Sequence, residues 1–321
     1  MKHSNFWSVV LFYFCAFALS SLPAAVADTF GSGANSFEIE FVTVGDPGNV
    51  ADTTGDPNPA GAVSYTYRIG KFEIPEEAIR KANTLSADAG DPLGITLDSR
   101  GLQKPATSVS WFEAARFVNW LNTSTGNTPA YKFDTNGDFQ LWNSGDAGYD
   151  PTNLFRNRQA KYFLPSADEW YKAAFYDPVS DQWFDFPNGS DTAPNPVSSG
   201  IDPNTAVYNQ SGPADVMLAG GPSPFGIVGL AGNVFEWEES NFDLQSNNPL
   251  GIRGVRGSDW SVTTTFLDLS SSFRNHSLPN NEPTNVGFRV AQIPEPRTAT
   301  LCFLIVLCMG IKLDACDRLY L

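Results

Sequence analysis

Apolar and polar residues alternate in two early segments of the chain, and a third early segment has helical spacing. Residues 37–44 (FEIEFVTV) and 63–72 (VSYTYRIGKF) are therefore predicted to be strands. The segment 75–87 (PEEAIRKANTLSA) is predicted to be a short helix, with proline in its first turn and acidic residues at its positive end. Between the two strands, residues 46–61 contain turn-forming residues without periodicity and are predicted to be a loop.

Two more helices are predicted by capping boxes, in which a serine and a glutamate three residues later satisfy each other's free backbone N–H groups. One starts at Ser110 and Glu113 and continues with an apolar face to Gly126, and the other starts at Ser166 and Glu169. Short strands are predicted after the third helix, at residues 183–186, 226–230, 233–237, 252–260 and 287–291. Because helices do not alternate with strands, the pattern predicts an α+β domain.

Residues 131–142 (YKFDTNGDFQLW) are predicted to form a hairpin that turns at residues 136–137. The alternating acidic residues of this segment also resemble the start of a calcium-binding loop. Such a loop needs a glycine at its sixth position and a glutamate at its twelfth, where this chain has Phe139 and Gly145. The hairpin is therefore the prediction.

The first residues have the pattern of a secretory signal peptide. Lys2 is followed by an apolar run at residues 9–19, and residues 25–27 (AVA) are small residues suited to cleavage. The apolar run is too short to span a bilayer as a helix. The sequence therefore predicts a signal peptide at residues 1–27 and an exported protein that starts near Asp28.

A second apolar stretch lies near the C-terminus, at residues 298–311. It follows residues 294–296 (PEP), and the combination resembles the PEP-CTERM sorting signal of bacteria that make exopolysaccharide. The resemblance implies that the tail at 294–321 anchors the protein transiently in the membrane until sorting machinery removes it. The protein would then remain at the cell surface or in the extracellular matrix. Such signals usually end in an arginine cluster, whereas only Lys312 and Arg318 follow here; a tail that is merely apolar is the alternative.

Composition excludes several classes of function. The chain has 35 acidic and 20 basic residues, a net charge of −15, which argues against nucleic acid as a partner. Its four cysteines lie in the predicted signal peptide or tail, at Cys15, Cys302, Cys308 and Cys316. The domain between them has His276 as its one histidine, so it lacks the residues for thiol chemistry or a histidine-rich metal site. A Ser-His-Asp triad would have to use that histidine.

Five short motifs occur in a recognisable order, at 105–111 (PATSVSW), 163–170 (FLPSADEW), 232–237 (GNVFEW), 256–260 (RGSDW) and 287–291 (GFRVA). Together they resemble the formylglycine-generating enzyme, or sulfatase-modifying factor, family over residues 38–292. The resemblance implies an α+β, C-type-lectin-like fold of that family's type, rich in irregular structure around small sheets.

The enzymes of this family oxidise a sulfatase cysteine to formylglycine, and they hold a copper ion with two cysteines that follow the fourth motif. The resemblance places these two positions at Val262 and Leu267, neither of which can bind copper. The serine of the fourth motif is replaced by Asp259. A related type of enzyme uses histidine-bound iron, for which His276 alone is insufficient. We therefore expect no copper and no catalytic residues in this domain.

The resemblance also implies a calcium site in the third motif, with carbonyl oxygens from Gly232 and Val234 and a carboxylate from Glu236. The family usually adds an asparagine or aspartate three residues before the glycine, where this chain has Gly229. The alternative is that Glu236 only pairs with a buried arginine. Three arginines match the family and are predicted to pair with buried carboxylates or loop carbonyls, namely Arg256, Arg274 and Arg289.

The sequence favours an exported, non-catalytic domain that acts as a binding or structural module at the cell surface or in the matrix. Its ligand is expected to be an extracellular polysaccharide or a surface protein, by analogy with the sorting signal and the lectin-like fold. Three alternatives stay open. They are a formylglycine-type oxidase with an unrecognised mechanism, a hydrolase that uses paired carboxylates in a cleft, and a purely structural matrix component.

Overall fold

The computed structural model describes residues 25–263 and 266–294, and the side chain of Phe266 is not part of the description. Most of the predicted signal peptide (1–27) and of the predicted sorting tail (294–321) therefore lies outside the described residues, as do all four cysteines. Within the described residues, no helix is both long enough and apolar enough to cross a membrane.

The described domain contains few helices and many short strands. The helices are α1 (Glu76–Asp88), α2 (Trp111–Ser124) and α3 (Ala167–Phe175), with single 3-10 turns at Gly33–Asn35, Val216–Leu218 and Phe266–Leu269. The strands are β1 (Val26–Phe30), β2 (Phe37–Val44), β3 (Tyr67–Gly70), β4 (Lys132–Phe133), β5 (Phe139–Gln140), β6 (Tyr162–Phe163), β7 (Tyr176–Asp177), β8 (Gln182–Trp183), β9 (Asn195–Pro196), β10 (Thr205–Ala206), β11 (Phe235–Asn241), β12 (Arg253–Arg256), β13 (Asn275–Ser277), β14 (Val286–Gly287) and β15 (Ala291–Gln292).

A five-stranded antiparallel sheet joins the two ends of the domain. Its order is β1-β2-β3-β15-β6, so the last strand of the domain lies between two much earlier strands. Ala291 pairs with Ile69 on one side and with Phe163 on the other, and all three are fully buried. Strand β1 contains Val26 and Ala27, which belong to the predicted signal peptide, and the cleavage position stays a prediction.

A four-stranded sheet forms the second half of the core. Its order is β13-β12-β11-β14, with β11 and β14 parallel and the other pairs antiparallel. All seven residues of β11 (FEWEESN) are buried, although three of them are glutamates. Because a buried carboxylate is costly without partners, this strand needs cations and hydrogen-bond donors from neighbouring elements.

Both predicted capping boxes are confirmed. The hydroxyl of Ser110 accepts from the N–H of Glu113, and the carboxylate of Glu113 accepts from the N–H of Ser110 at 2.8 Å. Ser166 and Glu169 repeat the arrangement at the start of α3, at 2.7 Å. Helix α2 then packs against β6 and α1, and Gly126 follows its end with a left-handed φ of +78°.

Several predicted strands differ from the structure. The predictions 183–186, 233–237 and 252–260 correspond to β8, β11 and β12, whose bounds differ from them. The prediction for 63–72 was too long, because only β3 pairs with neighbours. Residues 226–230 were wrongly predicted to be a strand, since Gly226 and Gly229 have φ values of +87° and +79° and turn the chain. Their apolar neighbours are buried without pairing in a ladder. The segment 287–291 is divided between β14 and β15, which belong to different sheets.

Candidate functional site

The most unusual part of the core is the set of acidic residues on β11. Glu236, Glu238 and Glu239 are each fully buried. Carboxylates in such surroundings must be paired or hydrogen-bonded, because water no longer solvates them. Each of the three meets at least one arginine, and the arginines come from distant parts of the chain.

Glu236 forms the first of these clusters. Both of its carboxylate oxygens accept from the guanidinium of Arg289, and one also accepts from the indole N–H of Trp170 at 2.8 Å. The same guanidinium donates to the carbonyl oxygens of Gly70 at 2.8 Å and Val228 at 3.1 Å. All these partners hold the carboxylate in one orientation.

Glu238 is shared by two arginines. Arg256 Nε donates to one carboxylate oxygen at 2.9 Å, and Arg274 donates to the other from Nε at 2.9 Å and from Nη2 at 2.6 Å. Burial lowers the pKa of Arg256 below its ordinary value, and the charge of Glu238 offsets part of that effect. The predicted pairing of Arg256, Arg274 and Arg289 with buried carboxylates is thus confirmed.

Glu239 belongs to a third cluster, which the motifs did not indicate. Arg156 lies between Glu239 and Glu169, with nitrogen–oxygen distances of 2.8–2.9 Å to both carboxylates. Tyr65 donates to Glu169 at 2.6 Å, and Tyr131 donates to Glu239 at 2.9 Å. Burial opposes ionisation of Glu169, but the Arg156 guanidinium outweighs it and keeps the pKa of that carboxyl below its usual value.

Glu73 is a fourth buried acidic residue, and no sequence pattern pointed to it. Both of its carboxyl oxygens accept from the side-chain amide of Asn233, at 3.0 and 2.9 Å. A Cβ added at Gly229 would lie 3.0 Å from the Glu73 carboxyl, so this carboxyl fills the space that a side chain at 229 would need. Burial and then the charge of Glu236 raise the pKa of Glu73 well above its usual value, and Arg289 offsets only part of this.

The loop of the fourth motif is held together by its own polar groups. Asp259 accepts from the backbone N–H and the hydroxyl of Ser261, each at 2.6 Å, and from the side-chain amide of Asn285 at 2.7 Å. His276 is exposed on β13, where its ring lies 4.8 Å from the ring of Phe242. Asp259 therefore has a structural role, and it lies in a different element from the histidine.

Comparison with known proteins identifies the family. The family model described as "Sulfatase-modifying factor enzyme 1-like domain" matches residues 86–293. The chain belongs to the sulfatase-modifying factor family. A search of curated proteins by sequence finds no match.

Solved structures agree with this family assignment at the level of the fold. Treponema denticola variable protein 1 is 19% identical, with a TM-score of 0.57 over 85% of this chain and 100% of that chain. CarF is 21% identical, with a TM-score of 0.57 over 80% of this chain and 99% of that chain. At such low identity the similarity shows the fold alone. The predicted α+β fold of the formylglycine-generating enzyme type is confirmed.

The residues at the family's copper positions do not fit copper. Val262 is half-buried and Leu267 is 57% exposed, and neither side chain has a donor atom. Within residues 25–263 and 266–294, no group of three or more histidine, cysteine or acidic side chains is placed to hold a metal ion. Soft thiolate ligands are what select Cu(I), and this part of the chain has none.

The carboxylate at the family's calcium position is already paired with other side chains. Glu236 is bound by Arg289 and Trp170, which is the alternative in which this glutamate pairs with a buried arginine. A calcium ion on Glu236 would have to displace the Arg289 guanidinium. Calcium bound by Gly232, Val234 and Glu236 stays a prediction that chelation can test.

The surface of the domain offers an open site beside α2. Two cavities of about 390 Å³ and 410 Å³ are both lined by Arg116. The first is bordered by Trp120 and Phe133, and the second by Phe112 and Phe139. Sizes of this order and partly aromatic walls are typical of sites for small molecules or polymer segments.

Proposed function

We propose that this domain is a non-catalytic binding module, exported and sorted to the cell surface or extracellular matrix, with polysaccharide as its ligand. One observation carries the non-catalytic part of the proposal. The two positions where the family's enzymes hold copper are Val262 and Leu267, and neither can supply a thiolate.

The buried charges support the same conclusion. Glu236, Glu238 and Glu239 are saturated by arginines, and the arginines in turn donate to backbone carbonyls. Groups held in this way stabilise a loop-rich fold and are not free to move a proton or attack a substrate. Export and sorting rest on the patterns at residues 1–27 and 294–321.

A carboxylate hydrolase has one observation in its favour. Glu73 is among the residues that line a cavity of about 300 Å³, and burial raises its pKa, as in many general acids. However, Glu73 is only 1% exposed, and both of its oxygens accept from Asn233 inside the core. A substrate in the cavity would not reach the carboxyl group, so we favour binding over hydrolysis.

Calorimetry with the producing organism's own exopolysaccharide tests the proposal. Saturable binding by the purified protein is expected, with no new reducing ends released during the titration. Loss of binding after chelation would assign a role to calcium at Glu236, and unchanged binding would argue against that role. Absence of binding both with and without calcium would overturn the polysaccharide proposal and favour a surface protein or a purely structural role.

A further inference from the structure

Two neighbouring cavities lie beside α2 and the β4–β5 hairpin, and together they are called the cleft. Residues 91–93 complete the first cavity, and residues 249–250 of the loop after β11 complete the second. Its two cavities share Arg116 as a common wall. The first also includes Asp91 and Thr123, and the second includes Gln140 and Leu250. Leu250 is 70% exposed, so the loop leaves an apolar side chain beside the second cavity.

Arg116 is available to a ligand. Unlike the arginines that pair with the glutamates of β11, it has no acidic partner in the described part of the chain. Its Nη2 donates to the carbonyl of Gly137 at 2.7 Å, and its guanidinium lies 5.1 Å from the centre of the Phe133 ring. Among the described residues, its Nε and Nη1 have no acceptor, and the side chain is only half-buried. These N–H groups can donate to a ligand in either cavity.

The aromatic wall is held rigidly. Trp120 lies in a stack with Phe37 and Phe117, with ring centres 6.0 and 6.3 Å apart. Its indole N–H has no acceptor within residues 25–263 and 266–294, and the ring borders the first cavity. A fixed aromatic face with a free polar edge suits a ligand that has both apolar faces and hydroxyl groups.

The charge around the cleft selects against anions. Three exposed aspartates border it, Asp91 and Asp134 at the first cavity and Asp138 at the second, against the single cation Arg116. The whole chain has a net charge of −15. A polyanion would be repelled, whereas neutral hydroxyl groups can donate to the aspartates and accept from Arg116.

We propose that this cleft binds a neutral saccharide chain, which lies across Arg116 and places sugar rings in both cavities. The proposal rests on the polysaccharide-binding function above and names its site and the charge class of its ligand. The apolar faces of the rings pack on Trp120 and Phe112, and the hydroxyl groups bond to Arg116 and the aspartates.

Variants at the cleft, compared with a variant elsewhere on the surface, test the site. Thr123→Trp fills the first cavity from an exposed helix position, and Arg116→Met removes the donors but keeps the side chain over Phe133. Val179→Trp, at a residue that is 80% exposed outside the cleft, is the matched control. Thermal unfolding midpoints verify folding, and Thr123→Trp decides the outcome if Arg116→Met does not fold.

The probes are the neutral and acidic fractions of the producing organism's exopolysaccharide, separated by anion exchange. The neutral fraction is expected to bind the parent protein, with little change between low and high salt. Each cleft variant is expected to weaken binding about tenfold or more, because Arg116→Met removes hydrogen bonds from a charged group and Thr123→Trp blocks the first cavity. Val179→Trp is expected to bind like the parent.

The outcomes separate this site from the broader proposal. Equal binding by the parent and both cleft variants would overturn the cleft and leave the polysaccharide function standing. Salt-sensitive binding of the acidic fraction alone would overturn the neutral ligand. No binding of either fraction by the parent would overturn both proposals.

Discussion

The carboxylate of Glu236 and the guanidinium of Arg289 form a bidentate ion pair, and both side chains are fully buried. Glu236 lies on β11 of the four-stranded sheet. Arg289 also donates to the carbonyl of Gly70, at the end of β3 in the five-stranded sheet. The pair therefore connects the two sheets, and it joins the third and fifth motifs of the family.

Loss of the cation from this pair is expected to destabilise the domain strongly. Arg289→Met leaves the buried carboxylate of Glu236 without its partner, so the free energy of unfolding should fall by about 3–5 kcal/mol. Denaturant titration measures this change. The half-buried surface pair of Lys71 and Glu40 is the control, since Lys71→Met should cost less than about 1 kcal/mol. Adding Glu236→Gln to Arg289→Met should restore part of the loss. Equal costs for the two single variants would contradict the role of the buried pair.

Glu73 makes the stability of the fold depend on pH. Its pKa in the folded protein is raised by burial and by Glu236, whereas the unfolded chain has the ordinary value of about 4.3. Between these two values the folded state keeps a proton that the unfolded state releases. The contribution of Glu73 is therefore fully present below the unfolded pKa and is lost as the pH rises toward the folded pKa.

The variant Glu73→Gln should remove the loss of stability that Glu73 causes as the pH rises. We expect the difference in unfolding free energy, variant minus parent, to increase between pH 5 and pH 8. Glu38→Gln, which removes an exposed carboxylate, is the matched control and should show a flat difference. A flat difference for Glu73→Gln as well would mean that its carboxyl group titrates normally in the folded state.

The elements predicted correctly from sequence are those that depend on local patterns. Strand β2 has the predicted bounds because its apolar and polar residues alternate from Phe37 to Phe41 and again from Val42 to Val44, and the capping boxes of Ser110 and Ser166 are satisfied within three residues. By contrast, the two-residue strands β6, β14 and β15 exist because distant segments meet. Ala291, for example, is a strand residue because Ile69 and Phe163 lie beside it.

In the candidate site, too, some residues belong to recognisable motifs and others come from distant segments that no motif indicates. The charges of β11 suggest an exposed strand, and only the arrival of arginines from elsewhere explains its burial. The resemblance to the family supplied Arg256, Arg274 and Arg289 as partners, but Arg156 and Glu73 lie outside the motifs. The cleft at Arg116 is built by four separate segments, so no single motif could predict it.

Gly232 is required by the close approach of two loops, whether or not calcium binds. Its φ is +75°, and an added Cβ would lie 2.2 Å from the carbonyl oxygen of Val207. Gly232→Ala should therefore lower the free energy of unfolding by more than the 1–3 kcal/mol, roughly, of a strained backbone alone. Gly45→Ala is the control, because nothing lies within 4 Å of its added Cβ. Similar unfolding free energies for the two variants would show that the Val207 loop can move away.

The absence of copper chemistry is the prediction that separates a binding module from an oxidase. Cys15, Cys302, Cys308 and Cys316 are first replaced by serine, so that the domain is tested without the cysteines of the predicted signal peptide and tail. This protein should fail to withdraw Cu(I) from a chromophoric chelator. It should also leave the thiol of a sulfatase-like cysteine peptide intact when copper is added.

Restoring two thiols provides the positive control for that result. The double variant Val262→Cys and Leu267→Cys places soft ligands at the aligned positions, and Leu267 is 57% exposed and so accessible to the metal. We expect this variant to withdraw Cu(I) from the chelator. Failure of the double variant would mean that the two positions are not close enough to share an ion. Copper-dependent loss of peptide thiol with the cysteine-free protein would instead overturn the non-catalytic assignment, since the domain would then hold copper without thiolate ligands.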